Sequence, residues 1–196
     1  GDVYKRQDCS FMSISELQDF IEKEICDCKE KSMLLSLHLK ASMMKVSDPI
    51  IFGHVLKVFF KNFIEKNSTT LEKINVNFNS GLSNLFEKIN QLDKPTKEKL
   101  VNEIELDIEN GPDLAMVNYE KNITNFHIPS DVIIDASMPA MIKSSGKMWN
   151  KNGELRDTKA IIPDSSYSSI YQATIDFCKE NGQFDPAVMG LSLIHI

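Results

Sequence analysis

Between Ser32 and Lys40 the chain reads Ser-Met-Leu-Leu-Ser-Leu-His-Leu-Lys, and no other run restricts the fold so much. Met33, Leu35, Leu37 and Leu39 alternate with Ser36, His38 and Lys40, the two-residue period of a β-strand with one apolar face. The other face carries a hydroxyl, an imidazole and an amine in a row. Helical signals stand on both sides. Ser13 and Glu16 form a capping box, in which the serine hydroxyl takes a free backbone N–H and the glutamate reaches back. Ile14, Leu17, Phe20, Ile21, Ile25 and Cys28 follow at helical spacing, which predicts a helix over 14–30. After Ser47-Asp-Pro49 a second helix is expected, with Ile51, Val55, Val58, Phe59 and Phe63 on one side. Strand and amphipathic helices together make the class α/β.

The rest of the chain keeps that mixture. Asn77 to Gly81 is rich in turn formers, and short helices are expected over 82–91 and 96–109, with Pro95 at a start and Gly111 at a stop. Leu114 to Val117 reads as a short buried strand. Ser130 can cap a helix running from Asp131 through Ile142, kinked or ended early by Pro139, which has no backbone N–H to give. Residues 144–163 read as loop and turn with a short strand at Ala160 to Ile162. Asp164 caps a last helix whose stripe is Tyr167, Ile170, Tyr171, Thr174, Ile175 and Cys178, and which stops at Asn181-Gly182. There is no internal repeat and no low-complexity tract.

A chain of 196 residues is long enough for one domain with a core. Its net charge of −6, without a basic block, argues against a nucleic-acid groove or a membrane surface. No apolar run approaches the roughly 20 residues of a spanning helix, and the start lacks the basic-then-apolar pattern of a signal peptide. Cys9, Cys26, Cys28 and Cys178 are too irregular for a disulfide framework or a zinc site; Cys26 and Cys28 read as reduced thiols on a helix. A reducing, cytoplasmic setting is expected, and the glycosylation sequons at Asn67 and Asn122 are read as chance.

Two clusters could carry chemistry. Lys40 ends the polar strand face, with Lys45 five residues on; a lysine at a strand end facing a cleft can bind anions or transfer a proton. The competing reading is a solvated sheet face, which the general exposure of lysine favours. Asp131 and Asp135 are four apart, on one face of the expected helix, and two carboxylates so placed can offer oxygens to Mg²⁺ or Mn²⁺. For Asp131 a simpler account is the favourable field of a helix N-terminus. Asp135 interrupts an apolar run, where burial would be costly unless the carboxylate is paired. The histidines are widely spaced, and no Ser-His-Asp order, phosphate-binding loop or GxGxxG is present. Met33, Met43, Met44, Met138 and Met141 read as core filling.

Long runs add what short motifs cannot. LSLHLKASMMKVSDPIIFGHVLKVFF at 35–60, and the run from Leu114 to Gly190 that contains SDVIIDASMPAMIKSSGKMWN, are highly similar to the monomeric isocitrate dehydrogenases. The resemblance covers residues 8–190, with 61–113 more variable. The opening GDVYKRQ (1–7) and closing LSLIHI (191–196) resemble translated sequencing adapter, so 8–190 is expected to be an internal piece of the domain. What the resemblance implies is an incomplete portion of the large domain of an isocitrate/isopropylmalate dehydrogenase-like fold. The implied reaction is oxidative decarboxylation of isocitrate to 2-oxoglutarate, with NADP as hydride acceptor and Mg²⁺ or Mn²⁺ as Lewis acid. Lys40, in HLKASMMK, takes the place of the family's catalytic lysine, and Asp135, in VIIDASMP, that of a metal-binding carboxylate. Asp131 is left as an outer group, and Tyr167 and Tyr171 as packing residues. The resemblance further implies a monomer when intact, no cofactor-reading residue within this chain, and a piece inactive by itself. The alternatives are a dimeric-type β-decarboxylating dehydrogenase for isocitrate or isopropylmalate, against which the wording SLHLKASMMKVSDPIIFGH argues, and a non-catalytic α/β interaction module that has kept the fold.

Overall fold

The computed structural model describes residues 11–40, 47–185 and 187. Lys45, Met43, Met44, Cys9, His195 and both adapter-like segments lie outside the described residues. The chain divides into two compact units, Gly1–Pro163 and Asp164–Ile196.

In the first unit, α1 (Ile14–Glu30) begins at the expected cap: the Glu16 N–H donates to Ser13 Oγ at 3.4 Å. Leu17, Ile21 and Cys28 are its buried stripe, whereas Ile14 and Phe20, expected on that stripe, are exposed. Strand β1 (Leu34–Leu37) follows. Next come α2 (Ser47–Phe59), α3 (Lys61–Lys73), α4 (Leu82–Ile89) and α5 (Lys94–Asn110). Asp93 caps α5 by accepting the Thr96 N–H at 3.1 Å, and Pro95 sits in its first turn, where a missing N–H costs nothing. Phe52, Phe60, Phe63 and Phe126 are fully buried among these helices.

The sheet holds more strand than the sequence pattern predicts. Strand β1 pairs in parallel with β5 (Leu155–Ile161), and β4 (Lys147–Trp149) adds to β5 antiparallel, giving the order β1-β5-β4. Residues 147–159 have the local pattern of a loop, but Arg156 and Lys159 are anchored, which lets a charged stretch run as strand. Arg156 donates to Asp113 at 2.7 Å and to the Ser32 carbonyl at 2.8 Å, and Lys159 pairs with Glu24 and Asp27 of α1. Strand β2 (Met116–Asn118), overlapping the strand expected at Leu114 to Val117, forms a small antiparallel pair with β3 (Ile123–Thr124), a partner the sequence does not reveal.

Two corrections bear on function. First, β1 has no solvated face. Its free edge is covered by parallel bridges, Leu35 to Leu114 and Leu39 to Ile133, so Ser36 and His38 are as buried as the leucines between them. A parallel strand flanked on both edges is normally covered on both faces. Second, the helix expected from Asp131 to Ile142 is two elements. Pro129–Val132 is a 3₁₀ turn, Ile133 is extended (φ −61, ψ 113), and α6 runs Ile134–Lys143 with Pro139 inside it rather than ending there. The Leu39–Ile133 bridge requires that extended residue, so tertiary pairing overrides the local helical pattern.

Gly81, between the 3₁₀ turn Phe78–Ser80 and α4, has φ +84, and a Cβ there would lie 2.0 Å from the His127 carbonyl oxygen. Both the left-handed backbone and the clash oppose a side chain. Gly81→Ala is expected to destabilise the fold by roughly 2 kcal/mol or more, seen as a lower urea midpoint.

In the second unit, α7 (Ser165–Asn181) ends before Gly182 at φ +83, as expected. The expected packing stripe is only half-covered: Tyr167, Tyr171, Thr174, Ile175 and Cys178 are half-buried and Ile170 is 57% exposed.

Candidate functional site

The Leu39–Ile133 bridge does more than break a helix. Leu39 N–H donates to the Val132 carbonyl at 2.9 Å, and Ile134 N–H to the Leu39 carbonyl at 2.6 Å. These bonds bring residue 40 alongside the start of α6, and there the Lys40 ammonium forms an ion pair with the Asp135 carboxylate. The two groups singled out from sequence, 95 residues apart, meet. The Lys40 side chain is 15% exposed and that of Asp135 53%, so the pair lies at the edge of a partly dry site with its carboxylate open to solvent. Asp135 therefore does not carry the burial cost that its apolar neighbours suggest. It stands in the first turn of α6, where the helix field favours a negative charge.

Asp131 is not brought to this carboxylate on a shared helical face. It belongs to the 3₁₀ turn, and its carboxyl is held above the ordinary carboxylate range by burial, which the charge of nearby His127 partly opposes. Pro139 has a local effect as well. It offers no N–H to the Asp135 carbonyl four residues earlier, so that oxygen lacks its helical donor.

Behind Lys40 lies a polar network that the strand alternation places at the surface. Ser36 Oγ is 2.9 Å from His38 Nε2, His38 Nδ1 is 2.7 Å from Ser137 Oγ, and the Asn125 side-chain amide donates to Ser36 Oγ at 3.0 Å. Burial holds the His38 pKa down to about 4, so the imidazole is neutral near neutral pH. The alternation marks Ser36 and His38 as a polar row; nothing local marks Asn125 or Ser137 as their partners.

An apolar cleft of about 270 Å³ lies elsewhere, lined by Phe86, Ile104, Ile108, Leu114, Met116 and His127 among others; neither Lys40 nor Asp135 borders it. Among the described residues no three His, Cys, Asp or Glu side chains are grouped to hold a metal ion. The donor chemistry at Asp135 suits a hard divalent cation, but one carboxylate is only part of the six or so oxygens such an ion takes. An ammonium and an open carboxylate side by side can together bind a polar, oxygen-rich ligand and hold a proton near it.

A sequence model of the monomeric isocitrate dehydrogenase family matches residues 4–193. The chain is 48% identical over 183 residues to isocitrate dehydrogenase (NADP) 2 of Colwellia maris, covering 93% of this chain and 25% of the relative. It is 48% identical over 190 residues to the Mycobacterium tuberculosis protein of the same name, covering 97% and 25%. With isocitrate dehydrogenase (NADP) of Azotobacter vinelandii it is 49% identical over 183 residues, covering 93% and 25%. The chain thus spans about a quarter of the length of the curated relatives it matches.

Proposed function

The chain belongs to the monomeric isocitrate dehydrogenase family, and on that premise we propose that it is part of a longer enzyme that oxidises and decarboxylates isocitrate to 2-oxoglutarate with reduction of NADP. The α/β unit would then be an incomplete portion of the large domain of an isocitrate/isopropylmalate dehydrogenase-like fold. The whole enzyme would work as a cytoplasmic monomer. The observation that carries the reading is the meeting of Lys40 with Asp135. A coincidence of two chemically suited side chains across so long a loop is what a shared ligand would require.

In this reading Asp135 presents a carboxylate oxygen to Mg²⁺ or Mn²⁺. When bound, the ion would polarise the hydroxyl and carboxylate of isocitrate and stabilise negative charge on oxygen as CO₂ departs. Lys40 supplies the protein's own charge and proton. Its ammonium, held beside α6 by the Leu39–Ile133 bridge, faces the same carboxylate and can steady a developing oxyanion or give up a proton at Nζ. Low solvent exposure of the Lys40 side chain strengthens that interaction relative to bulk water. The substrate clamp, the remaining metal carboxylates and the NADP-reading residues would come from the rest of the longer protein.

The test is direct. The full-length enzyme is expected to produce NADPH from isocitrate, NADP⁺ and Mn²⁺, and the 196-residue segment, purified alone, to produce none. A one-carboxylate site binds metal weakly, and an unclamped substrate is not oriented. Isocitrate-dependent NADPH formation by the isolated segment, or its absence in the full-length protein, would overturn the reading.

A further inference from the structure

The proposed reaction makes no use of the hydrogen-bonded chain Asn125–Ser36–His38–Ser137, yet two of its members sit beside the two site residues. His38 is two residues before Lys40, and Ser137 is two residues after Asp135. Ser36, His38 and Asn125 are 0%, 1% and 2% exposed, so the two bonds joining them are protected from water, and the His38–Ser137 bond is part-buried.

The direction of the chain follows from its members. The Asn125 amide nitrogen can only donate, so Ser36 Oγ accepts from it. Among the described residues the Ser36 hydroxyl has one other partner, His38 Nε2, and it donates there. A neutral imidazole whose Nε2 accepts carries its proton on Nδ1, and that N–H is 2.7 Å from Ser137 Oγ. Every donor therefore points from the core toward α6.

What this bond restrains is rotation. The backbone bridge fixes how far α6 starts along β1, but α6 has no side-chain cap, and an ion pair as exposed as Lys40–Asp135 is worth only ~0–1 kcal/mol. Ser137 and Asp135, two residues apart, are about 200° apart around the helix. A grip on Ser137 from the core side therefore turns Asp135 outward, toward Lys40.

We propose that His38 is a positioning residue: by donating from Nδ1 to the Ser137 hydroxyl it locks the first turn of α6, and so holds the Asp135 carboxylate where Lys40 and a divalent cation meet it, a role that rests on the functions proposed for Lys40 and Asp135. The Asn125–Ser36 portion keeps the imidazole in the tautomer that can donate.

The variants His38→Asn, His38→Gln and Ser137→Ala, in the full-length enzyme, separate this from a packing role. Asparagine can place an N–H where Nδ1 stands; glutamine places one only where Nε2 stands. Titration with Mn²⁺ in the presence of isocitrate, followed by calorimetry, is expected to show binding weakened roughly 10-fold or more in His38→Gln and Ser137→Ala, the range found when a group that orients a metal ligand is lost. His38→Asn is expected to recover most of the loss, and the His38→Gln/Ser137→Ala double variant to be no weaker than the worse single one. Nitrogen NMR of labelled histidine is expected to show the Nδ1–H form for His38. The proposal is overturned by Mn²⁺ binding unchanged in both single variants, by His38→Asn binding as weakly as His38→Gln, or by an Nε2–H tautomer. Asp135→Asn serves as the reference: if it leaves Mn²⁺ binding intact, Asp135 is no metal ligand and the positioning chain falls with it.

Discussion

Replacing Lys40 with methionine in the full-length enzyme is expected to lower kcat by about 10²–10⁴, the range lost with a positioned proton donor, while the protein stays folded. Two magnitudes keep those outcomes apart. A fall of that size is about 3–5 kcal/mol of barrier. The partly exposed ion pair with Asp135 contributes only ~0–1 kcal/mol to stability. A thermal melt within a few degrees of the parent would show that the loss is not unfolding. Lys40→Arg sharpens the experiment. Guanidinium keeps the positive charge and can still pair with Asp135, but it does not release a proton in the working pH range. If the lysine acts by proton transfer, the arginine variant falls nearly as far as methionine; if it acts only through its charge, arginine restores most of the rate. Mn²⁺ should respond in the opposite sense. The ammonium competes with any cation for the Asp135 carboxylate, so Lys40→Met is expected to bind Mn²⁺ at least as tightly as the parent while turning over far more slowly. A variant with parental kcat would remove Lys40 from the mechanism.

Local chemistry is legible wherever a residue dictates its own backbone. Ser13 and Glu16 announce α1, Asp93 and Pro95 open α5, and Gly182 closes α7. Non-local pairing is not. Alternation from Met33 to Lys40 identifies a strand but implies one wet face, because nothing in that run says that β5 will lie on one edge and Leu114 and Ile133 on the other. The same blindness joins Asp131 to Asp135. Residues 131–142 have an unbroken helical pattern, and only the demand for an extended Ile133 beside Leu39 splits it. Only the end of strand β5 is legible, in the strand expected from Ala160; the rest is hidden by its own charges, Arg156, Asp157 and Lys159, two of which find partners on distant segments. Within the site, Lys40 and Asp135 are each selected by resemblance, but their contact depends on a backbone bridge that no spacing rule contains. The buried links through Asn125 and Ser137 are invisible for the same reason.

The split of that helix leads to the second large effect. Were Asp131 and Asp135 on one helical face, removing either carboxylate would weaken a shared cation site. With Ile133 extended between them they belong to different elements, and it is Asp135 that pairs with Lys40. Asp135→Asn is therefore expected to raise the half-saturating Mn²⁺ concentration on the order of 100-fold or more, since losing a ligand should exceed the 10–100-fold typical of losing the group that orients one. Asparagine keeps the shape and one carbonyl oxygen, so what is withdrawn is charge. The structural cost should be confined to the favourable helix N-terminal interaction, about 0.3–1 kcal/mol. Asp131→Asn is expected to leave the Mn²⁺ requirement within about threefold of the parent, a shift below 1 kcal/mol. Its carboxyl stands on the 3₁₀ turn rather than on α6, so withdrawing its charge is expected to change little around Asp135. Equal shifts in the two variants would mean that both carboxylates share the ion after all. No shift in Asp135→Asn would leave the Lys40–Asp135 contact as a strut between β1 and α6, with the metal bound somewhere else in the longer protein.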